Sequence, residues 1–146
     1  MIEYFGIFIV DEKEIEKISD NEKVRLEKRS TNFHCTFRYK PEDMSVFNEV
    51  IGEEAELTLT GYACDGENSG YKVKLDEVIE KYFLNTDDSG KLQVPHITTS
   101  LSKDGKAVNT MNLEFENFEQ PIVVRGRFGV FVKNGDERYI SFEKVK

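Results

Sequence analysis

Apolar and polar residues alternate with a period of two along most of this chain, and that rhythm commits it to sheet rather than helix. In Asn32 to Tyr39 the alternation sets Phe33, Cys35, Phe37 and Tyr39 on one face and His34, Thr36 and Arg38 on the other. Glu54 to Cys64 alternates through Ala55, Leu57 and Leu59, and Tyr71 to Leu75 reads as its hairpin partner across the turn Asp65 to Gly70. Ile2 to Val10, Lys23 to Lys28 (through Val24 and Leu26), His96 to Leu101, Asn112 to Phe115, Ile122 to Val132 and Tyr139 to Phe142 read as further strands. Asn134-Gly135 is a strong two-residue hairpin signal before the last of them.

Helical signals are few and short. Asp11 is placed to cap a short amphipathic helix, with Glu14 at capping-box spacing and Ile15 and Ile18 on one face. The acidic run Asp11 to Glu16 then reads as a solvated face. Pro41 ends a strand and opens a helical turn through Val50 and Ile51; Asp76 to Phe83 suits a second short helix. Asn85 to Gly90 is a polar loop, expected to be the most mobile stretch. These elements make one α+β domain over residues 1–146, mainly antiparallel sheet with a few short helices.

Charge and composition remove several functions. The chain carries 20 Lys and Arg against 28 Asp and Glu, a formal charge of -8, whereas coating duplex nucleic acid calls for a basic surface that displaces counterions. A small anion held in a local pocket is not excluded. The longest apolar run, Phe5 to Val10, is far below the roughly 20 residues that span a bilayer, so no membrane partner is expected. Met-Ile-Glu-Tyr has neither the basic start nor the apolar stretch of a secretion signal. Two cysteines, Cys35 and Cys64, make no disulfide framework and no zinc cluster. The expected setting is the cytoplasm.

The chain has two histidines, and each begins the same pattern: His34-Cys35-Thr36-Phe37 and His96-Ile97-Thr98-Thr99. With 8 Thr in 146 positions, a given His carries Thr two places on about 5% of the time by chance, and both do so about 0.3% of the time. Strand alternation puts each His beside its Thr on one face and turns Cys35 and Ile97 toward a core. Two imidazoles flanking a phosphodiester can divide the labour as general base and general acid, since an unperturbed pKa near 6.5 makes both forms accessible. Each Thr hydroxyl can donate to a phosphate oxygen as charge develops. This chemistry needs no metal and no cofactor, and none is expected. Cys35, facing away from His34, is expected to be core rather than nucleophile, and Cys64 structural.

Phe33-His34-Cys35-Thr36-Phe37 and Val94-Pro95-His96-Ile97-Thr98-Thr99-Ser100 resemble the paired His-x-Thr/Ser motifs of the 2H phosphoesterases. The stretch Leu57 to Leu75, with Gly61 and Gly70, and Gly105-Lys106-Ala107-Val108 also look like compact members of that superfamily. The resemblance implies a bilobal fold, two pseudo-symmetric lobes each supplying one motif to a central cleft. It implies a metal-independent phosphodiesterase with His34 and His96 catalytic and Thr36 and Thr98 on the phosphate. It implies a small nucleotide substrate: a cyclic nucleotide or oligonucleotide, as for phage anti-CBASS enzymes acting in the host cytoplasm, or a 2′,3′-cyclic phosphate at an RNA end, as in RNA repair. A non-catalytic protein that sequesters a cyclic nucleotide is the rival. Tyr4 is placed to stack on a base, as an N-terminal aromatic does in the anti-CBASS relatives. Lys106 and Arg127 are the cations proposed for the cleft. The oligomeric state is left open.

Overall fold

The computed structural model describes residues 1–30 and 32–145. The strands are β1 (Ile2–Ile9), β2 (Lys28–Arg29), β3 (Phe33–Tyr39), β4 (Glu54–Cys64), β5 (Asn68–Lys74), β6 (His96–Leu101), β7 (Glu116–Asn134) and β8 (Glu137–Ser141). Helix α1 spans Glu12–Asn21, α2 is a single turn at Glu77–Glu80, and 3₁₀ turns lie at Phe47–Glu49 and Ala107–Asn112. Among the described residues no helix is long and apolar enough to cross a membrane.

All pairings are antiparallel. They run β1-β3-β6-β5-β4-β7, and β7 pairs back onto β1 from Ile2↔Val132 to Phe8↔Arg127, so six strands close into a barrel. β8 extends β7 and β2 lies along β6 outside that ring. This corrects the expected bilobal α+β arrangement: there are not two lobes with a cleft between them but one closed wall. Closure follows from β7, whose 19 residues are long enough to serve β4 with one part and β1 with the next.

The inward residues of the wall form one core that includes Phe5, Ile7 and Ile9 of β1, Phe33, Cys35 and Phe37 of β3, Leu57 and Leu59 of β4, Tyr71 and Val73 of β5, Ile97 of β6, and Val124, Phe128 and Val130 of β7. Aromatic rings dominate it, with Phe5 stacked on Phe128 at 5.5 Å and Phe37 edge-on to Phe128 at 5.3 Å. Gly6 faces outward where β1 and β3 approach closely; a Cβ there would meet the Cys35 carbonyl oxygen at 2.2 Å. The β1–β3 register shifts at that point, between Phe5 and Gly6, immediately behind Thr36.

Several local expectations need correction. Residues 24–26 alternate as a strand does, but only Lys28–Arg29 pairs as one. The Val24 and Leu26 N–H groups donate instead to side-chain oxygens, Tyr62 Oη and Ser100 Oγ. Asn112 to Phe115 is not a strand: the 3₁₀ turn ends at Asn112 and β7 starts at Glu116. Strand β5 begins at Asn68, inside the stretch read as a turn, and α2 is shorter than Asp76 to Phe83. Asp11 does cap α1, accepting from Lys13 N–H at 2.9 Å. Glu14 does not close a capping box. Its side chain is buried and accepts from Arg125 N–H at 2.7 Å, fastening the helix to β7 rather than to solvent.

Candidate active site

Parity along β3 and β6 decides what the site can be. Cys35 and Ile97 are directly paired, and both are fully buried inside the barrel. Continuing that antiparallel register one step each way sets Thr36 beside His96 and His34 beside Thr98. The four motif side chains therefore form a two-by-two patch on the outer face of the wall. All four line one cavity of about 570 Å³, within the range of roughly 300–1,000 Å³ that holds small ligands.

Four pieces of chain build up the rim around the patch. The Asn85–Gln93 loop contributes Asn85, Thr86, Asp87, Asp88 and Gln93. It is bridged at Thr86↔Leu92 and fastened to the end of β3: Tyr39 N–H donates to Asn85 Oδ1 at 2.9 Å, and the Arg38 guanidinium donates to the Leu84 carbonyl at 2.7 Å. The 3₁₀ turn adds Ala107, Val108 and Met111, and Tyr4 and Tyr39 complete the lining.

Each imidazole is oriented through Nδ1 by a residue two positions earlier. His34 Nδ1 lies 2.8 Å from Asn32 Oδ1 and 3.3 Å from the Asn32 carbonyl; His96 Nδ1 lies 2.7 Å from the Val94 carbonyl. The backbone carbonyls can only accept, so in both rings Nδ1 carries the proton and Nε2 keeps a lone pair. The Tyr4 ring stacks on His34 with centroids 4.6 Å apart and also on Phe131 at 5.2 Å. Burial is the main cause that pushes His34 down to about 4, with the neighbouring His96 adding to it and the hydrogen bond to Asn32 opposing it. Burial also lowers His96, opposed by the Val94 carbonyl. With no ligand bound, both rings are held neutral.

This has a measurable consequence for stability. His34 titrates near 4 when folded and near 6.5 when unfolded, so between these values the unfolded chain binds more protons and stability rises with pH. The contribution is on the order of 3 kcal/mol, complete above pH 6.5 and lost as the pH falls toward 4. Urea unfolding of His34→Gln should show a shallower loss between pH 6.5 and 4 than the parent chain, since the carboxylates titrating there are common to both. Parallel pH curves would contradict this.

The two threonines differ. Among the described residues the Thr36 hydroxyl has no hydrogen-bond partner and faces the cavity. Thr98 is committed. Asn68 Nδ2 donates to Thr110 Oγ1 at 2.9 Å, Thr110 and Thr98 hydroxyl oxygens are 2.7 Å apart, and Thr98 donates to the Ala107 carbonyl at 3.2 Å. A proton chain running Asn68 to Thr110 to Thr98 to Ala107 satisfies every member. It holds the 3₁₀ turn over the cavity.

Other residues singled out in the sequence lie elsewhere or serve otherwise. Cys35 sits in the core, where burial pushes its thiol up to about 12. Cys64 is partly buried against the same core. Lys106 is exposed at the start of the 3₁₀ turn and is absent from the lining. Arg127 lies in a separate groove with Lys13 and Arg125, donating to the Gly52 carbonyl at 2.6 Å and to Glu54 at 3.3 Å. Among the described residues no Lys or Arg lines the histidine cavity. Residues that the sequence did not single out are Asn32, which orients His34, and Tyr39, 54% exposed at the rim opposite Tyr4. An Asn two places before a motif His, matching Val94 before His96, was the available signal for the first. Simple alternation puts Tyr39 on the core face, but the β1–β3 register shift between Phe5 and Gly6 leaves Phe37 as an extra residue and pairs Tyr39 with Tyr4. Among the described residues no group of three or more His, Cys, Asp or Glu side chains is placed to hold a metal ion. Comparison of the chain with protein-family models and with curated proteins finds no match.

Proposed function

We propose that the protein is a metal-independent phosphodiesterase of the paired-histidine type, acting in the cytoplasm on a small cyclic nucleotide or oligonucleotide of the kind used as an immune signal. One observation carries this reading: both His-x-Thr pairs face a single cavity from adjacent antiparallel strands. His34, the more firmly neutral ring, is the base, and its Nε2 takes the nucleophile's proton. His96, protonated once a phosphate anion lies between the rings, returns a proton to the leaving oxygen. With a 3′,5′ linkage and a free 2′-hydroxyl, O2′ bonds to phosphorus as the P–O5′ bond breaks and O5′ leaves protonated. With a 2′,3′-cyclic phosphate, water is the nucleophile and a ribose oxygen leaves. Thr36 donates to a non-bridging phosphate oxygen, while Thr98 holds the cover in place. Tyr39, rather than Tyr4, offers a free ring face to a base, because Tyr4 is already stacked on His34 and Phe131.

The deciding experiment is incubation with 3′,5′-cyclic dinucleotides, 2′,3′-cyclic mononucleotides and RNA ending in a 2′,3′-cyclic phosphate, all in EDTA. Turnover of the small cyclic nucleotides is expected. Activity lost in EDTA and restored by a divalent ion would overturn the mechanism. Turnover of RNA ends alone would assign the protein to RNA repair, and tight binding without turnover would assign it to sequestration.

The inequality of the threonines gives a further expected result. Thr36→Ala should lower kcat on the order of 10²-fold with little change in melting temperature, by analogy with loss of one oxyanion-hole donor, and Thr36→Ser should be milder. Thr98→Ala breaks the chain through Thr110 and should cost about 1–2 kcal/mol of stability as well as activity. Kinetics and thermal melts of the three variants check this; equal melting temperatures for Thr36→Ala and Thr98→Ala would contradict it.

A further inference from the structure

Resting on that reading, we propose that the cavity is selective for a singly charged phosphodiester and rejects phosphomonoesters, so that it expels its own hydrolysis product by charge. Among the described residues the charged side chains that line the cavity are acidic, Asp87 and Asp88 on the loop side, and no Lys or Arg lines it. The neighbouring cations are turned to other work or held outside. Arg38 is bonded to Leu84 and Thr86, the Lys40 ammonium is held over the Tyr39 ring 5.5 Å from its centroid, and Lys106 is exposed. Among the described lining residues only an imidazole can carry positive charge, and one protonated ring balances about one negative charge; the hydroxyls of Thr36, Thr86, Tyr4 and Tyr39 can donate but add no charge. Burial that lowers both histidines makes protonating the second ring costly.

Where water is the nucleophile the ligand's charge changes; the O2′ route first yields a 2′,3′-cyclic diester of unchanged charge, which becomes a monoester only when water opens it. Water oxygen bonds to phosphorus, the P–O bond to one ribose oxygen breaks, and that oxygen departs with a proton. The diester carried one charge; the monoester has a second ionisation near pH 6 and is mostly dianionic at pH 7.5. The added charge appears beside Asp87 and Asp88 with no further cation to meet it. Like charges brought together in this way weaken binding.

The test is a comparison of affinities at pH 7.5 by calorimetry, using 2′,3′-cyclic AMP, adenosine 3′-monophosphate and the methyl ester of adenosine 3′-monophosphate, an open-chain diester with one charge. The two diesters should bind with similar affinity and the monoester on the order of tenfold more weakly. Asp88 has no hydrogen-bond partner among the described residues, and Asp88→Lys should raise monoester affinity more than diester affinity. A monoester binding as tightly as the diesters would overturn the proposal, and so would a methyl diester binding as weakly as the monoester, since ring shape would then be what is selected. Failure of all three to bind would overturn it together with the catalytic reading. The affinity order without turnover would leave the selectivity standing and remove only the catalysis.

Discussion

Replacing either histidine by alanine is expected to cut turnover of the cyclic nucleotide by 10²–10⁴-fold, approximately the contribution of one positioned proton-transfer group. The double variant His34→Ala/His96→Ala should fall far short of the product of the two losses, because both rings act on one transition state. The two single variants should also differ in pH dependence. On the proposed mechanism the parent's profile should be bell-shaped, one limb for the base and one for the acid; His34→Ala should remove the acidic limb and His96→Ala the alkaline one. Binding should survive in both, since Thr36 and the cavity walls remain. Full activity in either variant, or multiplicative losses in the double one, would break the paired mechanism. Asn32→Ala offers a graded check. It removes the Oδ1 that sits 2.8 Å from His34 Nδ1 but leaves the backbone carbonyl, so a loss smaller than that of His34→Ala is expected.

The largest expected effect on stability lies away from the cavity, at Glu22. Its carboxylate is fully buried, paired with Arg29 and with the Arg25 Nε at 3.7 Å, and accepts from the hydroxyls of Ser69 and Ser100 at 3.4 Å each. Ser69 in turn bonds to Tyr62 Oη and to the Val24 carbonyl. This cluster fastens the strap between α1 and β3 to strands β5 and β6. Removing one member of a buried ion pair costs about 3–5 kcal/mol, because the other charge and its donors are left without a partner. Glu22→Gln is therefore expected to lower the urea-unfolding free energy by about 3 kcal/mol, toward the lower end because the Arg29 side chain is 34% exposed. Glu22→Met/Arg29→Met should recover much of the loss. A change below about 1 kcal/mol for Glu22→Gln would mean that water solvates this cluster.

These residues also show what was legible in the sequence. Strand parity placed His34 with Thr36 and His96 with Thr98, and sent Cys35 and Ile97 inward, because alternation is a local property that a single strand imposes. The hairpin signalled at Asn134-Gly135 is local in the same way, although its two loop residues are Gly135 and Asp136, with Asn134 paired to Glu137. Closure of the barrel was not legible, because it depends on β1 pairing with residues 127–132, and no local pattern names a partner so far along the chain. Residues 24–26 alternate as a strand does, yet their donors are met by side chains of distant strands. Glu14 has the spacing of a capping box, but a tertiary acceptor role for the Arg125 N–H won. Lys106 and Arg127 offer a cleft only their charge, and charge says nothing about which side of a wall a residue faces. The cover was hidden because Asn85, Gln93 and Met111 belong to segments whose composition reads only as loop.

The seam strand β7 has a consequence in the order of synthesis. Every histidine and threonine of the patch has been made by residue 98, yet the wall that aligns β3 with β6 closes only through β7, which starts at Glu116 and meets β1 with its last third. A ribosome that has emitted both motifs has therefore emitted the reagents without the vessel. The nascent chain leaves β1 and β4 as open edges, available to any other strand, until β7 arrives. The same strand that completes the core thus sets the moment at which the wall passes from sticky to sealed, and ties any first turnover to the emergence of β7.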